Sequence, residues 1–325
     1  MVRLTRRDFA LGAAGLTVAS GSAFAAAPVF PQKNITLLLP YGPGGGFDSF
    51  ARAVTPVMET YLPRKVNIVP FNLPTGGGGK AIAQLYRTRP DGYTIGMFPI
   101  PGALILQQQQ RARVFDLHKF TWLGTLGSSD NYAIAVRAGS PIKSVADLQA
   151  LSKQRGVKFT STGPDGTAYL ASVISTRLLG IRSRFILGYS GSTDYIVAAM
   201  RGDGDAVVAA VTSLKQFHES GSMRIIASFE AQSTMPGVPS AGDLGKPELA
   251  QITIDRMLAA PPGLPADLKA ILTGAIDKAV RDPRVLAWAK SNRIPWDPHP
   301  PGEADATFRS QAAFFEKWKG FLPAT

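Results

Sequence analysis

The sequence contains no cysteine among its 325 residues. That excludes disulfides, thiolate metal sites and cysteine nucleophiles, and it leaves the fold to be held by its core. Histidine is nearly as scarce. His118, His218 and His299 are the only three, and none lies within metal-ligand spacing of another, so zinc chemistry has no nucleus to build on. No stretch after the first residues approaches about 18 uninterrupted apolar residues, the length that a membrane span needs. Acidic residues are also in deficit: 23 Asp and Glu stand against 35 Lys and Arg, a formal net charge of +12. The basic residues are scattered singly, however. This reads as a basic protein whose field favours anions, without the clustered cations of a nucleic-acid surface.

What is present begins with an export pattern. Residues 1–8 are basic and residues 9–24 are apolar and small. Ala23-Phe24-Ala25 fits a signal cleavage site, so the expected mature chain starts at Ala26 and belongs in the periplasm as a soluble protein. Thr5-Arg6-Arg7-Asp8-Phe9 resembles a twin-arginine signal; a general secretory signal that happens to hold two arginines is the alternative. Removing this segment leaves a net charge of about +10.

The rest alternates. Apolar runs at 35–39, 65–69 and 94–98 read as strands, with helical patterns at 48–61 and 76–87 between them. The pattern restarts after Trp122, with strands at 132–136, 157–161, 185–187, 206–211 and 224–229 and helices at 144–152, 167–179 and 193–201. Ser144 is the expected N-cap of its helix, with Asp147 at the third helical position. The end, over 264–290 and 304–319, is mostly helical. Strands alternating with helices across short turns predict an α/β fold with mostly parallel sheets flanked by helices. Two such units suggest two lobes: residues 26–128 with 251–325, and residues 129–250.

Several motifs fail on inspection. Pro74-Thr75-Gly76-Gly77-Gly78-Gly79-Lys80-Ala81 has Pro where a P-loop needs its first glycine and Ala where magnesium needs a hydroxyl. The glycines at 42, 44 and 46 miss the dinucleotide spacing. Asp203-Gly204-Asp205 lacks the rest of a calcium loop. Gly188-Tyr189-Ser190-Gly191 is one residue short of a nucleophile elbow. Two glycine-bearing loops survive, at 40–46 and 162–167, each after a strand and before a helix. In open parallel sheets that is where ligands bind. Exposed N–H groups and helix N-termini can hold a carboxylate or phosphate without a side-chain cation. The glycines at 44, 45 and 46 are expected to let ligand oxygens approach the backbone.

The segment 35–48, Ile-Thr-Leu-Leu-Leu-Pro-Tyr-Gly-Pro-Gly-Gly-Gly-Phe-Asp, resembles the first ligand loop of the Bug-type substrate-binding proteins of tripartite tricarboxylate transporters. Similar segments recur in order at 72–79 with 90–94, at 161–170, at 189–192, at 235–239 and at 260–265, so the resemblance covers essentially the whole mature chain. It implies a two-lobed periplasmic binding fold, type II-like, with a carboxylate gripped between loops of the two lobes. Carried over, loop one comprises Tyr41, Gly42, Pro43, Gly44, Gly45, Gly46, Phe47 and Asp48. Loop two comprises Thr162, Gly163, Pro164, Asp165, Gly166 and Thr167. Pro99, Ile100, Tyr189 and Ala209 are implied as further lining. Asp48 is expected to cap its helix rather than touch an anion. Phe47 stands where the family usually has a hydroxyl, Tyr169 where histidine is frequent and Ala209 where many members carry aspartate. With Phe98 and Ile100, these departures point to a ligand with an apolar body, aromatic or medium-chain aliphatic, and at least one carboxylate.

The expectation is therefore a monomeric solute-binding protein that delivers an organic carboxylate to integral membrane permease subunits. No cofactor, metal or catalytic residue is expected. A cleft hydrolase and a ligand sensor that docks on a membrane receptor are the competing readings; no nucleophile–base–orienter set supports the first.

Overall fold

The computed structural model describes residues 30–321 apart from 76, 77, 101, 109–113, 128, 129, 165, 293, 295 and 297. The export signal expected over residues 1–25, and Asp165 of loop two, lie outside the described residues.

The first strand, β1 (Ile35–Leu39), is followed by α1 (Gly46–Glu59), β2 (Ile68–Asn72), α2 (Gly79–Arg87), β3 (Thr94–Ile100), α3 (Gly102–Gln108) and β4 (Thr121–Thr125). Ile35, Leu37, Leu38 and Leu39 are fully buried, as expected of a strand covered by helices on both faces. A second series follows: β5 (Asp130–Arg137), α4 (Val145–Gln154), β6 (Val157–Thr160), α5 (Thr167–Leu178), β7 (Ser183–Ile186), α6 (Ser192–Arg201), β8 (Ala206–Ala210), α7 (Val211–Glu219) and β9 (Met223–Ser228). The chain then returns through β10 (Thr253–Ala260) and finishes in α8 (Ala266–Val280), α9 (Pro283–Ser291) and α10 (Ala304–Trp318).

The α/β fold has the expected helix-flanked layers, but its sheet is mixed. β1 pairs in parallel with β2 and β3, and β6 with β7 and β8. β10 runs antiparallel to β3 and β4, and β5 antiparallel to β8 and β9. The two groups of strands join where Thr253 and Ile254 of β10 pair with Asn131 and Asp130 of β5. Strands arriving without a helical crossover are free to pair antiparallel. β4 and β10 lie outside the runs read as strands from sequence, and β10 is the strand that connects the halves.

Local signals hold where they are local. The Ser144 hydroxyl accepts from the Asp147 N–H at 3.2 Å, and the Asp147 carboxylate accepts from the Ser144 N–H at 3.0 Å. This is a complete capping box. Among the described residues no helix is long and apolar enough to cross a membrane.

Candidate functional site

Loop one leaves β1 at Pro40 and enters α1 at Gly46. Gly44 takes φ +77, a conformation that costs other residues energy. Asp48, in the first turn of α1, reaches back so that its Oδ2 accepts from the Gly44 N–H at 3.0 Å and from Arg52 Nε at 2.8 Å. Burial opposes its ionisation. Hydrogen bonds from Arg52, Gly44 and Asn72 outweigh burial and hold the carboxyl below its usual range. Asp48 thus ties the loop to the first turn of α1 through the Gly44 N–H, while the N-cap itself is Gly45 and receives no side-chain hydrogen bond.

The other glycines of loop one meet the opposite half of the protein. The Gly42 N–H donates to the Ser190 carbonyl at 3.2 Å, and the Gly46 N–H to Ser192 Oγ at 3.3 Å. The Thr193 hydroxyl donates to the Gly44 carbonyl at 3.0 Å. A Cβ on Gly45 would lie 3.5 Å from Ser192 Oγ, and one on Gly46 would lie 3.1 Å from Ser213 Oγ. The room beside Gly45 and Gly46 is bounded by residues of α6 and α7, whereas a Cβ on Gly44 would meet nothing within 4 Å. Of the neighbouring glycine run, Gly78 packs behind the loop, where a Cβ would fall 2.4 Å from Pro40 Cβ.

Beneath this contact is a small cavity of about 40 Å³. Tyr41, Gly45, Gly46 and Phe47 line it from α1 and its loop, Thr162 from loop two and Ala168 from the first turn of α5, Ser192 and Tyr195 from α6, Ala210 from the end of β8 and Ser213 from the first turn of α7. Four helix N-termini therefore converge on one space, each contributing partial positive charge. Tyr132, Ile254 and Arg256 complete the wall. A wider groove of about 330 Å³ adjoins it and shares Gly46, Ser192 and Ser213. Burial pushes the Tyr132 and Tyr195 phenols well above their ordinary range, with nearby Tyr41 and Asp130 adding to the effect. Both phenols stay protonated and can donate.

Among the described residues, Arg256 is the one charged residue in that wall. Its Nη2 donates to Asp130 Oδ2 at 2.8 Å, with both side chains almost fully buried. Asp130 also accepts from the Thr212 hydroxyl and, through Oδ1, from the Thr212 N–H at 3.4 Å. The guanidinium stacks on Phe50, 3.9 Å from the ring centroid, with Phe47 at 5.7 Å. Nε and Nη1 have no hydrogen-bond partner among the described residues. A buried polar group left unsatisfied costs on the order of 1–3 kcal/mol, more when charged.

Residues 50–300 match the family described as tripartite tricarboxylate transporter family receptor. The chain belongs to that family. A UPF0065 protein in the gbd 5' region of Cupriavidus necator is 26% identical over 246 residues, 74% of this chain and 73% of its own length. Among solved structures, periplasmic binding protein BugD matches with a TM-score of 0.79 at 19% identity, over 90% of this chain and 98% of BugD. An R. palustris protein with adipate matches with a TM-score of 0.80 at 20% identity, over 90% of this chain and 98% of that one.

Within this tripartite tricarboxylate receptor, the cavity takes only part of the lining expected from sequence. Tyr41, Gly45, Gly46, Phe47 and Thr162 line it, and Gly44 lines the adjoining groove. Gly42 is buried in the contact with Ser190, Pro43 and Pro164 are exposed, and Gly163 is half-buried. Gly166 packs against Thr162, whose Oγ1 would be 2.0 Å from an added Cβ. The Thr167 hydroxyl faces Gly102 of α3 rather than the cavity, since a Cβ on Gly102 would fall 1.9 Å from it. Pro99 and Ile100 are the last two residues of β3, paired with Arg256 and Asp255 of β10, and neither lines the cavity. Ala209 is corrected by one position: it lies in β8 opposite Ala133, and Ala210 is the residue in the wall. Successive strand residues face opposite ways, so a shift of one residue moves a side chain to the other face. The Tyr189 hydroxyl donates outward to Asp203 Oδ2 at 3.1 Å; Ser190, Ser192 and Thr193 make that loop's contacts with loop one.

Tyr132, Tyr195, Ser192, Ser213, Ile254 and Arg256 were not anticipated. For Arg256 a signal existed. Asp255 and Arg256 interrupt the apolar run 252–260, and charges inside a strand-like run mark a buried polar function.

Proposed function

We propose that this receptor is an exported, periplasmic solute-binding protein that captures a small organic carboxylate and delivers it to the membrane subunits of a tripartite tricarboxylate transporter, without bond-making chemistry. The observation that carries this reading is the convergence of the N-termini of α1, α5, α6 and α7 on one cavity. Such termini favour anions through oriented N–H groups and dipoles. The family supports it, as does the adipate bound by a protein of the same fold.

The ligand lies between lobes made of residues 26–128 with 251–325 and of residues 129–250. Opening separates loop one from residues 190–193 and joins the cavity to the adjoining groove. Closure around the ligand restores those contacts, so the liganded state is the closed one. From the sequence-derived set, Tyr41, Gly45, Gly46, Phe47 and Thr162 contact the ligand. The apolar body expected of the ligand rests on Tyr41, Phe47, Tyr132 and Tyr195 instead of Phe98, Ile100 and Ala209.

A thermal-shift screen against benzoate, adipate, malate, citrate and aspartate tests the reading. A ligand at 100-fold excess over its Kd adds about 2.7 kcal/mol of stability. A flat response to every acid, with the folded protein confirmed by circular dichroism, would remove it. Export through the folded-protein route is tested by changing Arg6 and Arg7 to lysine; normal periplasmic accumulation would assign the signal to the general secretory route.

A further inference from the structure

We infer that Arg256 is the specificity-determining cation of this site: it takes one ligand carboxylate on its Nε and Nη1 donors, and it selects an acid with a single carboxylate on an apolar body. This rests on the carboxylate-binding reading above and goes beyond it, because helix termini and glycine loops alone would accept any anion of suitable size.

Three observations carry it. First, Arg256 is 2% exposed and lines the cavity, yet of its guanidinium nitrogens only Nη2 is engaged, by Asp130 at 2.8 Å and more weakly by Thr212 Oγ1 at 3.5 Å. Nε and Nη1 are buried without a partner. Guanidinium has five N–H donors in a rigid fork suited to carboxylate oxygens, and three of them belong to these two nitrogens. Second, the fork is held in place before any ligand arrives. Asp130 fixes one edge, and the Phe50 ring lies 3.9 Å beneath its face. Asp130 is itself held through both carboxylate oxygens by Thr212. A preordered donor loses little conformational freedom on binding. Third, the competing anion grip of loop one is already in use, since the Gly42, Gly44 and Gly46 N–H groups serve Ser190, Asp48 and Ser192.

The rest of the wall sets the body of the ligand. Tyr41, Phe47, Tyr132, Tyr195 and Ile254 surround the space, and no second Lys or Arg of the described residues lines it. One carboxylate pairs with Arg256; a second would have to be buried without a cation, which is costly.

Titration calorimetry with benzoate, benzamide, adipate and citrate tests this on the mature chain. Benzoate is expected to bind at least tenfold more tightly than benzamide and more tightly than adipate or citrate. Arg256→Lys keeps a charge facing Asp130 but loses the fork, and should weaken benzoate at least tenfold and lower the benzoate-to-benzamide ratio. A purely structural Arg256 would lower the melting temperature without moving the benzoate-to-benzamide ratio. Equal binding of benzoate and benzamide by the unaltered protein would overturn the inference without any variant having to fold. So would adipate or citrate binding more tightly than benzoate. Acids that bind the Arg256→Lys protein as tightly as the parent remove the inference and leave the carboxylate reading standing. If none of the three acids binds the unaltered protein, both fall together.

Discussion

Two aspartate–arginine pairs frame the first turns of α1, and both close at 2.8 Å. Asp48 meets Arg52 one turn along the same helix, with the Arg52 side chain 54% exposed. Asp130 meets Arg256 between two strands, with side chains only 5% and 2% exposed. Equal distance conceals unequal energetics. Water screens the first guanidinium and satisfies its spare donors, so the attraction is worth little beyond what Asp48 does for the loop. The second pair has given up its hydration, and its stability depends on each member keeping the other. The first pair shapes a loop. The second holds a charge inside a cavity wall, ready for another anion.

The largest break in this comparison is Asp130→Ala. It strands Arg256 in the interior and should cost about 3–5 kcal/mol, read from urea unfolding. A cost under about 1 kcal/mol would mean that the pair behaves like a surface bridge. Asp48→Ala comes next. It leaves the Gly44 N–H without its acceptor and frees the loop, for an expected loss of about 1–2 kcal/mol. An unchanged midpoint would show that the loop is held by its contacts with residues 190–193 alone. Arg52→Ala should cost about 0.2–1 kcal/mol and lose even that in high salt. A larger, salt-insensitive cost would erase the contrast between the pairs.

The smallest effect is acid dependence. Asp48 has a carboxyl pKa below its unfolded value. A depressed carboxyl stabilises the fold fully above the unfolded pKa, about 3.9. That contribution is lost as pH falls through the lowered folded value. The stability gap between the parent and Asp48→Asn should therefore be constant from pH 7 to about pH 5 and shrink below about pH 4. A gap that persists undiminished at pH 2 would show that Asp48 acts through packing and not through its charge.

Some features were legible because their causes are local. The strand at 35–39, the capping box at Ser144 and Asp147, and a helix starting after each glycine loop all follow from neighbouring residues. Apolar periodicity and turn chemistry act over a few positions. The strand at 253–260 escaped because Asp255 and Arg256 break its apolar pattern, and only its pairing with β3, β4 and β5 makes it a strand. Ala209 was one residue from the wall position because register depends on the partner strand. Tyr132 and Tyr195 resemble ordinary core residues in sequence; Tyr195 follows closely on the segment 189–192, but nothing in the chain brings it together with Tyr132.

The sequence by itself determined the alternation of strands and helices, the places where glycine loops meet helix starts, and the family to which the chain belongs. Each depends on short windows of residues or on their order. Only the tertiary structure decided what those glycines do. They admit Ser190, Ser192, Thr193 and Ser213 from the opposite half of the chain. It also decided where the charge lies. Arg256 and Asp130 are 126 residues apart, and no local pattern specifies that pairing. It is reached when β10 returns beside β5, and it persists because a buried charge separated from its partner would be too costly to keep.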